Sequence, residues 1–297
     1  MILVTGGRGY LGGRVVDYLS QSGLKVKIGD RSIFADDDSL EEACQGISCI
    51  AHLAAMNAQD CEKYPEEALR FNGLGTLNLL RAAERKSVTK FIYFSTAHIY
   101  GMPLKGKINE KSLPRPLHPY SITHRLAEDF VVEADRKEKL SGIVFRLTNG
   151  VGYPVRSDAN CWMLVANDLC RQVVKNQRME LHSDKFVERD YVPISAICSA
   201  LYFALVQSRL DGEIVNISAG KSLSLKELTD LIANRTVDVL GFRPTVHFRK
   251  ESNFGIVSKE RLEISNSKLK KTGFAMDADL SDEIDTLLLK CNQWFRV

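Results

Sequence analysis

The stretch Met1-Ile-Leu-Val-Thr-Gly-Gly-Arg-Gly-Tyr-Leu-Gly12 decides the fold. Residues 2–4 form a short apolar run, the pattern of a buried parallel strand. The run breaks into Gly6, Gly7, Gly9 and Gly12 and then into a helical pattern reaching Leu19. Only glycine lets a backbone turn this tightly and come close to a ligand. A helix starting here offers unpaired N–H groups and the positive end of its dipole, which suit a pyrophosphate. Asp30 follows about 20 residues on, the spacing of a carboxylate that binds an adenosine ribose. Strand, glycine turn, helix and acid together predict a dinucleotide site, with Gly6, Gly9, Tyr10, Leu11 and Gly12 in its loop.

Outward from this stretch, apolar runs and helical patterns alternate, as a doubly wound α/β sheet requires. Strands are predicted at 2–4, 26–28, 49–53, 91–94 and 142–146, and helices at 12–20, 39–44, 65–85 and 120–136. Runs such as Phe91-Ile-Tyr-Phe94 are nearly all apolar, the signature of strands covered on both faces. Residues 31–46 are short for a full crossover, so a brief strand at 32–34 and one small helix are expected there.

The bulk composition excludes several classes. With 297 residues the chain can bury a large core and form two lobes, and 44% hydrophobic with 26% charged residues argues against disorder. A formal net charge of +3 is too small to make nucleic acid or an anionic membrane the main partner. No apolar run approaches the ~20 residues of a membrane span. The glycine loop at the N-terminus leaves no room for a signal peptide, so a cytoplasmic protein is expected. The seven cysteines are scattered without a CxxC pair, which predicts reduced buried thiols and neither a disulfide framework nor a metal site.

The cofactor end can be read further. Asp30 would repel a 2′-phosphate and so favours NAD; Arg31 and Arg8 are guanidinium groups able to reach such a phosphate, which keeps NADP as the alternative. His52-Leu-Ala-Ala55 closes the third strand with small residues, so Leu53, Ala54 and Ala55 suit a strand end passing under a cofactor. His52 itself reads as a hydrogen-bonded near-core residue. Asn72 opens an apolar helix face (Leu74, Leu77, Leu80) and must find partners, bracing the site backbone being one option.

The chemistry lies in two pieces. Ser95-Thr-Ala-His-Ile-Tyr-Gly101 follows a buried strand at its carboxyl end, where ligands bind in open α/β sheets. Pro119-Tyr-Ser-Ile-Thr-His124 opens a helix, with Tyr120 and His124 on one face. A tyrosine serves as general base when a nearby cation lowers its pKa. The Thr96 hydroxyl would hydrogen-bond the substrate oxygen that exchanges the proton.

These blocks resemble the extended short-chain dehydrogenase/reductase family, in its nucleotide-sugar epimerase and dehydratase branch. Thr5-Gly-Gly-Arg-Gly-Tyr-Leu-Gly12 is similar to the family's TGxxGxxG loop and Asp30 to its ribose-binding acid. His52-Leu-Ala-Ala55, Asn72-Gly-Leu-Gly-Thr76 and Ser95-Thr-Ala-His-Ile-Tyr-Gly101 match further blocks in order. So do Arg146-Leu-Thr-Asn-Gly-Val-Gly-Tyr-Pro154, Arg189-Asp-Tyr-Val192 and Gly212-Glu-Ile-Val-Asn-Ile-Ser218. The resemblance implies a Rossmann-type parallel sheet over 1–150, to which the chain returns around 190–207. A smaller C-terminal substrate-binding lobe is expected from 151–189 and 208–297.

It also implies roles. Tyr120, Thr96 and His124 become the catalytic set, and Asn72, Ser95, Tyr120 and His124 join the cofactor contacts. Thr96, His98, Asn149 and Arg189 become substrate contacts, Arg189 being the best diphosphate ligand. A homodimer through helices 65–85 and 120–136 is the family expectation.

One departure matters. The family motif YxxxK would place lysine at 124, where this chain has His124. Histidine is shorter, and its charge near neutrality depends on a pKa around 6.5. Arg125 projects about 100° away on the helix and is a poor substitute. Position 97 is alanine and 98 histidine where the family's 4,6-dehydratases carry an Asp-Glu pair, which argues against that reaction.

In the second lobe a helix is expected over 160–175, with apolar Trp162, Leu164, Val165, Leu169 and Val173. Ser224-Leu-Lys-Glu227 fits a capping box. The basic tail residues Arg243, Arg249, Lys250, Lys259 and Arg261 read as a solvated face. The expected function is a sugar epimerase acting on a nucleotide sugar by transient hydride transfer. An NAD(P)H-dependent reductase or dehydrogenase of a nucleotide sugar or related carbonyl compound is the first alternative, and a cofactor-binding scaffold or sensor without turnover is the second.

Overall fold

The computed structural model describes residues 1–248 and 261–296. The chain begins with β1 (Ile2–Thr5), α1 (Tyr10–Gln21), β2 (Val26–Gly29), α2 (Asp37–Cys44), β3 (Cys49–His52) and α3 (Ala58–Lys63). Next come α4 (Pro65–Ala68) and α5 (Gly75–Arg85), joined by a π-helical turn, then β4 (Lys90–Thr96), β5 (Lys107–Ile108), α6 (Pro119–Arg136) and β6 (Ser141–Leu147). They are followed by β7 (Asn149–Val151), α7 (Val165–Asn176), β8 (Arg178–Leu181), β9 (Glu188–Pro193), α8 (Ile194–Val206) and β10 (Ile214–Ile217). Last are β11 (Ser222–Ser224), α9 (Leu225–Leu240), β12 (Thr245–Phe248), β13 (Glu263–Ile264), α10 (Ser267–Lys271) and α11 (Leu280–Phe295).

Six strands form one parallel sheet in the order β10-β6-β4-β3-β1-β2. The two-residue side-chain period explains why these strands read as continuous apolar runs. Ile2, Val4, Ile92 and Phe145 point to one face and pack with Val15 of α1 and Leu201 of α8. Leu3, Ile50, Phe91 and Val144 point to the other, against Leu40 of α2, Leu79 of α5 and Val131 of α6. Strand order reverses between β1 and β3, and a crevice opens there at the carboxyl ends of the strands.

The smaller lobe packs α7, α9 and α11 around a sheet ordered β11-β9-β7, with Leu169, Leu228 and Leu287 at its centre. Arg14 of α1 clamps the lobes together through Glu283 of α11, at 2.9 and 3.3 Å, both side chains being buried or nearly so.

The five strands and four helices predicted for the first lobe all occur, with these differences. Residues 32–34 are not a strand but part of a 3-10 turn over Arg31–Phe34, because the Asp30 carboxylate accepts from the Ser32 N–H at 3.0 Å and curls the chain. The long helix over 65–85 contains a π-helical segment at Leu69–Leu74, which leaves Leu74 exposed and turns Asn72 inward. In the predicted helix over 160–175 only Val165–Asn176 is helical; the Trp162 indole donates to the Ser157 carbonyl at 2.8 Å and holds the preceding residues in turns. Strand β10, in the segment assigned by sequence to the smaller lobe, is an edge strand of the main sheet, and Leu269 and Phe274 pack into that sheet's core. Helix α3 has no counterpart in the sequence reading.

All seven cysteines are buried and unpaired, and the described residues contain no cluster of metal-ligand type. No helix among the described residues is long and apolar enough to cross a membrane. Of the basic tail, Arg261 pairs with Glu227 and Glu188 and Arg243 donates to Asn234, while Arg249, Lys250 and Lys259 lie outside the described residues.

Candidate active site

The glycine loop is built by contact, not by habit. A Cβ on Gly12 would stand 2.0 Å from the Gly6 carbonyl oxygen, so α1 can begin this close to β1 only without a side chain there. Gly6 has φ +69°, and a Cβ on it would press on the Ala54 backbone at 3.0 Å. Gly9 caps α1 without any side-chain bond, which leaves the first N–H groups of the helix open to a ligand.

A cleft of about 560 Å³ runs from this loop past Asp30 to Thr96, Tyr120 and His124. Gly6, Gly9, Tyr10, Leu11, Gly12, Asp30, Arg31, Leu53, Ala54, Ala55 and Ser95 all line it. The buried Ser95 hydroxyl has no partner among the described residues, an orphaned polar atom on the cleft wall. The bare glycine cradle, the acid at the end of β2 and this hydroxyl fit an elongated dinucleotide. At the acid end, Ser32 donates to Asp30 through both its N–H and its hydroxyl, and Arg8 stands 3.7 Å away, which holds that carboxyl below its usual range. Arg31 lies over the Phe71 ring at 5.0 Å.

Asn72 is the exception among the expected cofactor contacts: it is 1% exposed and does not reach the cleft. Its side chain accepts from the Met56 N–H at 2.8 Å and donates to the Thr123 hydroxyl at 3.0 Å, so it ties the cleft wall to α6. His52 works alongside it. The Thr76 hydroxyl donates to the Asn72 carbonyl and so receives the His52 Nε2–H at 3.0 Å. His52 Nδ1 then accepts from the Thr5 hydroxyl at 2.6 Å, and Thr5 accepts from the Ala54 N–H. Burial pushes the His52 pKa down to about 3, so this relay runs through a neutral ring.

Helix α6 starts where it must. His118 Nδ1 accepts from the Tyr120 N–H at 3.2 Å, Ser121 Oγ accepts from the His118 N–H, and Pro119 occupies the first helical position. This start aims Tyr120 and His124 into the cleft, whose wall Tyr120 shares with Thr96. Burial pushes the Tyr120 phenol up to about 12; Cys61 adds to the rise and Thr96 opposes it. His124 is 2% exposed, and burial pushes its pKa down to about 4. Its Nδ1 lies 2.8 Å from the Tyr120 carbonyl oxygen, which can only accept, so Nδ1 carries the proton and Nε2 keeps its lone pair.

A second cleft, of about 340 Å³, joins the first at Tyr10, Thr96 and Tyr120. Thr96, His98, Asn149 and Arg189, the four residues read from the sequence as substrate contacts, all line it. The His98 Nδ1 is buried and unpartnered among the described residues, and burial with the nearby Arg189 charge lowers its pKa. Among the described residues Arg189 makes no ion pair to Asp190 or Glu188: Asp190 instead receives the Thr148 hydroxyl and the N–H groups of Ala219, Gly220 and Lys221. Asn149 is partly engaged, donating to the Asp190 carbonyl at 2.8 Å. Sequence reasoning missed Glu128 and Arg146, a buried ion pair that joins α6 to β6; the signal was a carboxylate two turns after Tyr120 on its own helix face.

A family model described as "NAD dependent epimerase/dehydratase family" matches residues 2–218. The GDP-6-deoxy-D-mannose reductase of Pseudomonas aeruginosa is 27% identical, over 78% of this chain and 79% of its own length. The UDP-glucose 4-epimerase of Halalkalibacterium halodurans is 26% identical, over 77% of this chain and 78% of its own. Among solved structures, the UDP-glucose 4-epimerase of Thermus thermophilus in complex with NAD superposes with a TM-score of 0.81 at 24% identity, covering 99% of both chains.

Proposed function

This chain belongs to the NAD dependent epimerase/dehydratase family, and on that premise we propose that it is an NAD-dependent nucleotide-sugar epimerase in which Tyr120 and Thr96 handle the proton of a sugar hydroxyl. The observation that carries this reading is that Tyr120 and Thr96 both line the place where the glycine-loop cleft joins the second cleft. The nicotinamide, when bound, supplies the hydride acceptor and donor. Thr96 fixes the sugar oxygen, and Tyr120, once it has lost its own proton to become the phenolate, takes the hydroxyl proton and later returns it. The His124 Nε2 lone pair accepts from a ribose hydroxyl, and the open N–H groups of α1 receive the pyrophosphate. Arg189, on the wall of the second cleft, suits a nucleotide diphosphate. Asp30, on the cleft wall, favours NAD over NADP.

A reductase is the second reading, and one feature favours it: without a cation beside it Tyr120 is protonated at rest, which suits delivery of a proton to a carbonyl oxygen. Leu69 and Leu74 of the π-helical turn before α5, and Ile122 of α6, are exposed and suit a homodimer through the helices of that region. The deciding experiment is mass spectrometry of small molecules released from freshly purified, denatured protein. Retained NAD with a sugar nucleotide supports the epimerase; consumption of NADH or NADPH in equal measure with product supports the reductase. Failure of both cofactors to bind on addition refutes the enzyme.

A further inference from the structure

Behind the catalytic helix lies a buried hub that no catalytic contact requires. Arg146 of β6 is 2% exposed, and the carboxylate of Glu128 on α6 is fully buried. The guanidinium grips that carboxylate from two nitrogens: Nε donates to Oε1 at 3.1 Å and to Oε2 at 3.2 Å, and Nη2 donates to Oε2 at 2.8 Å. Its remaining arm, Nη1, donates to the Tyr100 hydroxyl at 3.0 Å, and Tyr100 donates on to Asn216 Oδ1 at 2.7 Å.

Each partner belongs to an element that carries a working residue. Glu128 lies one turn after His124 and two after Tyr120 on the same face of α6. Tyr100 closes the 3-10 turn Ala97–Tyr100, whose capping residue is Thr96 and which also holds His98. Asn216 sits on β10, next to β6 in the sheet. One planar guanidinium therefore locks the helix of Tyr120 to the turn of Thr96. A lysine cannot do this, because it lacks the fixed fork.

We infer that Arg146, with Glu128 and Tyr100, is a positioning residue that sets the Thr96–Tyr120 hydroxyl pair, as well as a core ion pair. The inference rests on the reading of that pair as the catalytic one. It accounts for an expensive choice: a buried charge pair stabilises a fold no better than well-packed apolar residues, but it fixes one geometry through directed bonds. A shift of about 1 Å between reacting groups costs on the order of a hundredfold in rate.

The test uses the full chain with carbon-13 label at tyrosine Cζ, the Tyr120 resonance being identified by its loss in Tyr120→Phe. Tyr100→Phe removes one hydroxyl, and Glu128→Gln keeps the shape while weakening the fork. The expected result is a displaced Tyr120 resonance in both variants, while the resonances of Tyr18 and Tyr202, a ring pair on α1 and α8 away from the hub, hold and the NAD dissociation constant stays within about threefold of wild type. An unmoved Tyr120 resonance in a folded Tyr100→Phe protein overturns the inference. So does displacement of the Tyr18 and Tyr202 resonances along with that of Tyr120 in both variants, which would reduce the hub to a core ion pair. Wild-type protein that does not bind NAD counts against the proposed function instead, and the Tyr120 resonance still decides the role of the hub.

Discussion

The Nδ1 of His124 stands 2.8 Å from the carbonyl oxygen of Tyr120, one helical turn earlier. This bond spends the one proton of a neutral ring on the backbone, and among the described residues no carboxylate pairs with the ring to hold a second. The groups there that act on the Tyr120 phenol are Cys61 and Thr96, neither of them a cation. The tyrosine is thus left without the charge that would make it a base near neutrality. Replacing His124 with lysine supplies that charge. The expected outcome for His124→Lys is a base limb displaced to lower pH and a higher kcat near pH 7, about tenfold for each pH unit of displacement. The measurement is kcat between pH 6 and 9 on the sugar nucleotide recovered with the protein. A kcat that is unchanged or lower over that range means that the site is adapted to histidine.

Tyr120→Phe separates enzyme from scaffold. The ring remains to pack on His124, whose centroid lies 4.2 Å away, and only the hydroxyl is lost. Turnover is expected to fall by about a hundredfold to ten-thousandfold, the range for losing a positioned acid–base group, with NAD affinity nearly unchanged. Equal turnover in the two proteins would favour the scaffold.

Asp30 tests the cofactor choice. Its carboxylate already receives both donors of Ser32 and faces Arg8, so a second negative charge at the ribose would meet an acid first. Asp30→Asn removes the repulsion and leaves Arg8 and Arg31 free to meet a phosphate. Isothermal titration should show NAD binding weakened and NADP binding strengthened, narrowing their ratio by about tenfold, on the scale of one charge-assisted bond. A ratio that does not move would show that Asp30 plays no part in cofactor choice.

The parts of the site that were legible in the sequence are those where local chemistry has few solutions. A backbone turn packed at 2.0 Å from where a Cβ would sit admits only glycine, and sheet strands covered on both faces must be apolar, so Gly12 and the run of β4 announce themselves. Asn72 was legible as a buried polar group in need of partners, but which ones depended on a π-helical turn that periodicity does not encode. The Glu128–Arg146 pair joins positions 18 residues apart on different elements, and sequence alone does not indicate that both side chains point into the same core. Strand β10 was misassigned for a related reason: four residues, with a polar asparagine among them, carry no mark of the sheet they will join.

Acid sensitivity follows from the two buried histidines. Burial sets the His52 and His124 pKa values at about 3 and about 4, against about 6.5 in an unfolded chain. Above pH 6.5 both rings are neutral in either state and contribute nothing to the pH dependence. Between pH 6.5 and 4 the unfolded chain binds protons that the folded chain refuses, so stability falls as the pH drops and levels off only below the folded values. At pH 5 the loss is about 2 kcal/mol for each ring relative to pH 7, to an order of magnitude. Urea unfolding at the two pH values should therefore show a lower midpoint at pH 5. In His124→Gln, which can still donate to the Tyr120 carbonyl and does not titrate, the gap between the two midpoints should shrink by the share of one ring. An undiminished gap would mean that His124 is already protonated in the folded protein, and the account of Tyr120 as a tyrosine without a cationic neighbour would fall with it.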